Sequence, residues 1–301
     1  MKIENLAELY EMHYFGEKST HTLKNYQQGW LMFKEFAKEQ YQLTQEQDII
    51  DNATWSMGQL FKNSLIRKGF NPKTINTILS GLRSYFNFLV RDKVINVNPF
   101  SEIESVSTKN VTYERPYLES EEFDILLETI ATKEQGRKQD GFELTSARDQ
   151  LAVGILLSCG LRIHELLNIK LDEIQPNGDL QVLGKGKKLR TVRISNSNMA
   201  RLETYLKVRK QYAQDECEEL FISRYGKGMS PQSFNKNLKK YLERAGLDTN
   251  VSAHGLRASS ATNLLRKGVR VTKIAEMLGH SDIKTTIAHY AKESNDYDFL
   301  Y

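Results

Sequence analysis

The chain has 301 residues, 40% hydrophobic and 27% charged, a balance suited to a globular protein of about two domains. No apolar run approaches the roughly 20 residues a membrane helix needs, and the first five residues carry an acid where a signal peptide has a basic stretch and an apolar core, so a cytoplasmic location with no membrane partner is expected. The net charge of +4 is too small to single out a nucleic-acid partner, and the two cysteines, Cys159 and Cys217, are too few for a disulfide framework.

The first part reads as helices only. Leu6, Leu9, His13 and Tyr14 recur at helical spacing. Ser19 or Thr20 can cap a second helix with Leu23, Tyr26, Trp30, Phe33 and Ala37 on one apolar face. A third helix is predicted over 55–68, stopped by Gly69. Asn71-Pro72 opens a fourth, which buries Ile75, Ile78, Leu79, Leu82, Tyr85, Phe86 and Leu89. Together they make a small four-helix domain over 1–104. From Val94 to Pro116 the periodicity breaks down among Asn, Ser and Pro, and residues 105–116 are read as the interdomain linker.

The second domain, 117–301, reads as mostly helical with a small antiparallel β insert. A helix is predicted over 119–130, a polar loop over 132–144, and a strongly apolar helix over 148–158 that ends at Gly160. A new helix starts near Leu161. Residues 179–183 and 189–194 alternate as two strands of a hairpin around Gly184-Lys-Gly-Lys-Lys. Helices follow from about Ser197, Pro231, His254, Val271 and Ile283. The acidic, aromatic tail from Glu293 to Tyr301 is too short to form a core and is expected to dock elsewhere.

Six residues of this domain have chemistry at suggestive places. Arg162 sits at a helix start with Glu165 one turn on, which by itself is an ordinary i,i+3 ion pair. Lys185 lies on a glycine-flanked hairpin tip, where the backbone can approach a ligand closely. The run Lys185, Lys187, Lys188, Arg190 and Arg193 reads otherwise as a solvated basic face. The tip does not match a phosphate-binding P-loop, which needs a longer glycine spacing and a following Ser or Thr. His254 and Arg257 stand three apart at a helix N-terminus, a position that favours an anion; read alone they are a capping histidine and a surface arginine. His280 follows Gly279, a helix stop, and Tyr290 comes ten residues later. His254, His280 and His289 have no cysteine or carboxylate spacing that would complete a metal site, so no metal or other cofactor is expected.

The joint pattern is more specific than its parts. G-L-R-x-x-E-L, then a G-K-G hairpin, then H-x-L-R, L-G-H and a tyrosine, in that order, resembles the tyrosine recombinase (phage integrase) family in its simple two-domain form. The resemblance covers essentially the whole second part. It implies that the helical first part is a SAM-like core-binding domain and that the second is the catalytic domain. It makes Arg162, Lys185, His254, Arg257 and His280 the phosphate-activating residues, Glu165 their supporting acid and Tyr290 the nucleophile. Two positions depart from the family's pattern. Ala258 stands where many members have a histidine. The tyrosine commonly lies nine positions after the last histidine, and here that position is His289, with Tyr290 one further, a turn of about 100° on a helix. Tyr297 and Tyr301 are the alternative nucleophiles.

The resemblance implies strand cleavage through a 3′-phosphotyrosyl link without ATP or metal. It implies double-stranded DNA with inverted-repeat core sites as partner, and a homotetramer coupled through the C-terminal tail. The chain begins almost directly in the helical domain, so a simple recombinase without an arm-binding domain is expected. Integration, excision and the resolution of dimers or cointegrates all remain open. The competing readings are a type IB-like topoisomerase, which shares the chemistry without exchanging partners, and a DNA-binding module with a decayed site.

Overall fold

The computed structural model describes residues 10, 14, 20–108, 116–133, 141–184 and 189–279. Apart from Tyr14, which is buried in the first unit's core, the predicted first helix lies outside them, as do the tip with Lys185, the helix from Ile283 and the positions of His280, Tyr290, Tyr297 and Tyr301. The chain divides into two compact units, Met1–Tyr113 and Glu114–Tyr301. Both are mainly α-helical, and the only sheet among the described residues is one two-stranded antiparallel hairpin. No described helix is long and apolar enough to cross a membrane.

The first unit contains α1 (Thr20–Tyr41), α2 (Glu46–Asp51), α3 (Trp55–Arg67) and α4 (Pro72–Arg91). The short α2 has no counterpart among the predicted elements: six residues are too few for a periodic signal, yet they bury Ile49 and Ile50. Helix α3 starts where the Thr54 hydroxyl accepts from the Met57 amide at 3.2 Å. Pro72 opens α4 behind an Asn71 cap that accepts from the Lys73 amide at 2.9 Å. The two long helices pack through aromatic side chains. Phe33 of α1 meets Phe86 of α4 edge-on at 6.2 Å and Phe61 of α3 edge-on at 5.3 Å, and Phe100 lies 5.1 Å from both Phe33 and Phe86.

The aperiodic stretch that follows α4 packs onto this unit. Phe100 and Ile103 are core residues of this unit. Arg83 donates from Nε to the Phe100 carbonyl at 3.1 Å and from Nη2 to the Ile103 carbonyl at 2.8 Å. Asn98 accepts from the Phe100 amide at 2.8 Å and donates to the Arg83 carbonyl at 3.0 Å. Polar side chains that erase a periodic signal here satisfy the backbone of a packed irregular segment.

The second unit is built around α6 (Phe142–Cys159), flanked by α5 (Ser120–Ala131), α8 (Asn196–Arg209) and α10 (Ala253–Arg266). Helix α6 begins at Phe142, six residues before the predicted start, because Leu144 and Ser146 are buried and the Ser146 hydroxyl donates to the Ile130 carbonyl at 2.9 Å. Its burial runs all round, so it shows almost no amphipathic stripe. It even buries the ion pair Arg148–Asp149 at 2.7 Å, with the Tyr241 hydroxyl donating to Asp149 at 2.8 Å. Cys159 is buried at its end. The remaining elements are α7 (Ile163–Leu167), β1 (Asp179–Leu183), β2 (Leu189–Arg193), α9 (Pro231–Ala245) and α11 (Val271–Leu278). The predicted helix from Leu161 starts two residues later, with Arg162 as its N-cap.

Candidate functional site

Three chain reversals bring the site together. Helix α6 stops at Gly160 in the left-handed conformation (φ 58°), which turns the chain into Arg162 and α7. Helix α11 stops at Gly279 in the same conformation (φ 63°). The hairpin places Arg190 opposite Val182 and Val192 opposite Leu180, so Arg190 shares the inward face with three buried aliphatic residues.

Glu165 is the centre of the cluster. Its Oε1 accepts from Arg162 Nη1 at 2.8 Å and from Arg190 Nη1 at 3.1 Å. Its Oε2 accepts from the Arg162 backbone amide at 2.8 Å and from Arg190 Nη2 at 2.7 Å. Arg257 Nη1 lies 4.0 Å from the same Oε2. Burial by itself would raise the Glu165 pKa, but the hydrogen bonds from Arg190 and then from Arg162 outweigh it and hold the carboxyl at about 2. Glu165 is therefore ionised throughout the neutral range.

The same three arginines cap α11. Arg190 Nε donates to the Met277 carbonyl at 3.0 Å, Arg257 Nη2 to the Leu278 carbonyl at 2.5 Å, and Arg162 Nη2 to the Gly279 carbonyl at 3.3 Å. Three consecutive carbonyls at a helix C-terminus lack helical partners and carry the negative end of the dipole, so each takes a guanidinium. Gly279 makes room for this: a Cβ there would stand 3.1 Å from Arg190 Nη1. Arg257 also donates to the Gly160 carbonyl at 2.5 Å, which joins the ends of α6 and α11.

The arginines differ in access. The Arg162 side chain is 34% exposed, that of Arg190 is 11% and that of Arg257 is 3%. Arg257 is therefore not the surface arginine that its position alone suggests. Arg162 gives two of its five N–H groups to described partners through its side chain. His254 is exposed in the first turn of α10, where the Ser252 hydroxyl caps the helix by accepting from the Gly255 amide at 3.4 Å. Gly255 is required there because a Cβ would meet the Pro116 carbonyl at 2.7 Å.

Of the sequence-predicted residues, Arg162, Glu165 and Arg257 come together, and His254 sits three residues before Arg257 on α10. Lys185, His280 and Tyr290 lie outside the described residues. Sequence reasoning misses Arg190, because the run of lysines and arginines around it reads as a solvated face. Strand alternation could have found it. Val192 and Ile194 point inward, and counting back by two reaches Arg190, whereas Arg193 falls on the outer face and pairs with Asp179.

Comparisons with known proteins agree with this architecture. Residues 116–296 match the phage integrase family, and residues 7–93 match the phage integrase N-terminal SAM-like domain. A tyrosine recombinase XerC of Alcanivorax borkumensis is 33% identical over 225 residues, covering 74% of this chain and 70% of that protein. A tyrosine recombinase XerD of Pseudomonas putida is 30% identical over 249 residues, covering 81% of this chain and 77% of that protein. Among solved structures, the XerH site-specific recombinase bound to palindromic difH substrate superimposes with a TM-score of 0.72 at 21% identity, over 96% of this chain and 81% of that one, a likeness of fold. The motif order, the two helical units and these matches over both of them place the chain in the phage integrase family of tyrosine recombinases, enzymes that cleave and rejoin DNA at specific sites.

Proposed function

We propose that Tyr290 opens a DNA strand by attacking a backbone phosphorus held by Arg162 and Arg257. The observation that carries this reading is the cluster itself: three guanidinium groups surround a single carboxylate, which leaves a local excess of positive charge. A phosphodiester already carries one negative charge, and attack by a phenolate adds another. Preorganised donors that meet this charge are usually the largest single contribution to catalysis. Arg162, the more exposed of the two, offers its fork to one non-bridging oxygen, and Arg257 serves the other. His280 adds a hydrogen bond to the phosphate.

A free tyrosine has a pKa near 10, and cations beside it lower that value. His254 takes the phenolic proton as Tyr290 forms the P–O bond. The P–O bond to the 5′ oxygen breaks, and Lys185 gives that oxygen its proton. The products are a 3′-phosphotyrosyl enzyme and a free 5′-hydroxyl. Attack by a 5′-hydroxyl of a second duplex reverses the chemistry and exchanges strands. The bond energy stays in the phosphotyrosine, so neither ATP nor metal is called on.

The substrate is double-stranded DNA with short inverted-repeat core sites, bound by both units. Four protomers on two sites act together, coupled by the tail from Glu293 to Tyr301, in the cytoplasm. Relatives named tyrosine recombinase XerC and XerD favour site-specific recombination over relaxation without exchange, and a structural neighbour bound to a palindromic substrate supports an inverted-repeat site.

The test is to denature the protein on a nicked target site and look for a covalent adduct, then repeat with Tyr290→Phe. An adduct formed by the parent and lost in the variant supports the reading. No adduct from the parent leaves a DNA-binding module, and an adduct that survives in Tyr290→Phe moves the nucleophile to Tyr297 or Tyr301.

A further inference from the structure

Arg190 makes three hydrogen bonds within the cluster and has no role in the chemistry just described. We infer that Arg190 is a positioning residue: it neutralises Glu165 and so keeps Arg162 available to phosphate. The inference rests on the reading of Arg162 as a phosphate ligand.

The balance of hydrogen bonds carries it. An ionised carboxylate has about four acceptor positions. All four of Glu165 are taken, two by the Arg190 fork and two by Arg162, of which one is the Arg162 backbone amide. Arg162 therefore gives its guanidinium to Glu165 through one nitrogen only. Without Arg190, half of the carboxylate becomes unsatisfied in a nearly buried place. Among the described residues, the cations at hand to fill it are Arg162 itself and Arg257 at 4.0 Å. An Arg162 turned to meet Glu165 through both terminal nitrogens points its fork away from solvent. The local charge also falls by one unit, which weakens the field that a phosphate meets.

Two simpler roles for Arg190 do not fit its surroundings. A solvated surface residue would not be 11% exposed with bonds to two partners. A plain cap for α11 would use the Met277 carbonyl alone, whereas two of the three nitrogens here go to Glu165. The inward position on β2 aims the side chain across the hairpin's buried face at α7 and α11 together.

The test is a double-mutant cycle on single-turnover cleavage of a nicked site, with DNA affinity measured alongside. The variants are Arg190→Gln, Glu165→Gln and the pair, with Arg190→Lys as the conservative control. Loss of alignment in such a site lowers a rate by about 100-fold, so Arg190→Gln is expected to slow cleavage on that scale while DNA affinity changes less than about threefold. Removing the stranded carboxylate as well should return Arg162 to the phosphate, so the pair cleaves at least about tenfold faster than Arg190→Gln alone. Arg190→Lys, which keeps the charge but not the fork, falls between parent and Arg190→Gln. If Arg190→Gln does not fold by circular dichroism, Arg190→Lys with and without Glu165→Gln decides the matter in the same way.

Cleavage by Arg190→Gln at the parental rate overturns the inference and leaves the phosphotyrosyl reading standing. A pair as slow as the product of the two single losses also overturns it, because a merely structural residue gives that result. No cleavage by the parent overturns the reading and this inference with it.

Discussion

Glu165→Gln isolates the electrostatic centre of the site, because glutamine approximates the protonated acid in size and charge. The folded carboxyl has a pKa of about 2 against 4.5 for the ordinary group. At about 1.4 kcal/mol per pH unit, that difference contributes about 3 kcal/mol at neutral pH. The sign follows from the depressed value: the contribution is complete above the unfolded pKa and disappears as the pH falls through the folded one. The parent should therefore exceed Glu165→Gln by about 3 kcal/mol from pH 7 to pH 5 and by less than about half of that at pH 3.

Urea unfolding followed by far-ultraviolet circular dichroism measures the difference. Trp30 and Trp55, the chain's two tryptophans, both lie in the first unit, so their emission provides an internal reference. The second unit carries the effect. A stability difference that stays constant from pH 7 to pH 3, or grows on acidification, would refute the assignment of Glu165 as an ionised, arginine-locked carboxylate.

Three further substitutions probe the frame around the site. Phe100→Ala should destabilise the first unit by about 3–5 kcal/mol, seen as an earlier tryptophan transition in urea, since Phe100 fills the space between Phe33 and Phe86. Gly279→Ala should destabilise the second unit by about 1–2 kcal/mol through its left-handed backbone, and should also slow cleavage by pushing Arg190 off the Met277 carbonyl. Arg148→Met should destabilise the second unit by about 3–5 kcal/mol in the circular dichroism transition, because it strands the Asp149 carboxylate in the core, held among the described residues by Tyr241 and Asn237.

The helical domain order is legible wherever one face is apolar and the ends carry caps. Asn71-Pro72 and the stripe from Ile75 to Leu89 define α4 without further help. Three features are not legible, for distinct reasons. Helix α2 is shorter than two turns and yields no periodic signal. The start of α6 is polar by sequence and buried by position, with Ser146 satisfied by a carbonyl on α5. Phe100 lies among turn residues whose hydrogen bonds to Arg83 and Asn98 leave no periodic pattern.

The candidate site divides in the same way. Arg162, Glu165 and Arg257 are legible because their motifs have fixed order and spacing. Arg190 is not, because a run of basic residues hides the alternation that turns one of them inward. That the same arginines cap α11 cannot be read from the chain, because the acceptors are backbone carbonyls and any residue supplies one.

Above all, the guanidinium of Arg162 is held to offset charge on a phosphate. Single-turnover cleavage by the parent and by Arg162→Ala should be compared on two substrates, one with a normal scissile phosphate and one with an uncharged methylphosphonate. On the phosphate, Arg162→Ala should lose about 100- to 1,000-fold in rate, the scale of one preorganised donor; on the methylphosphonate, the loss should shrink to less than about tenfold. An equal loss on both substrates would contradict this role, because the arginine would then be serving the protein's shape and not the charge of its substrate.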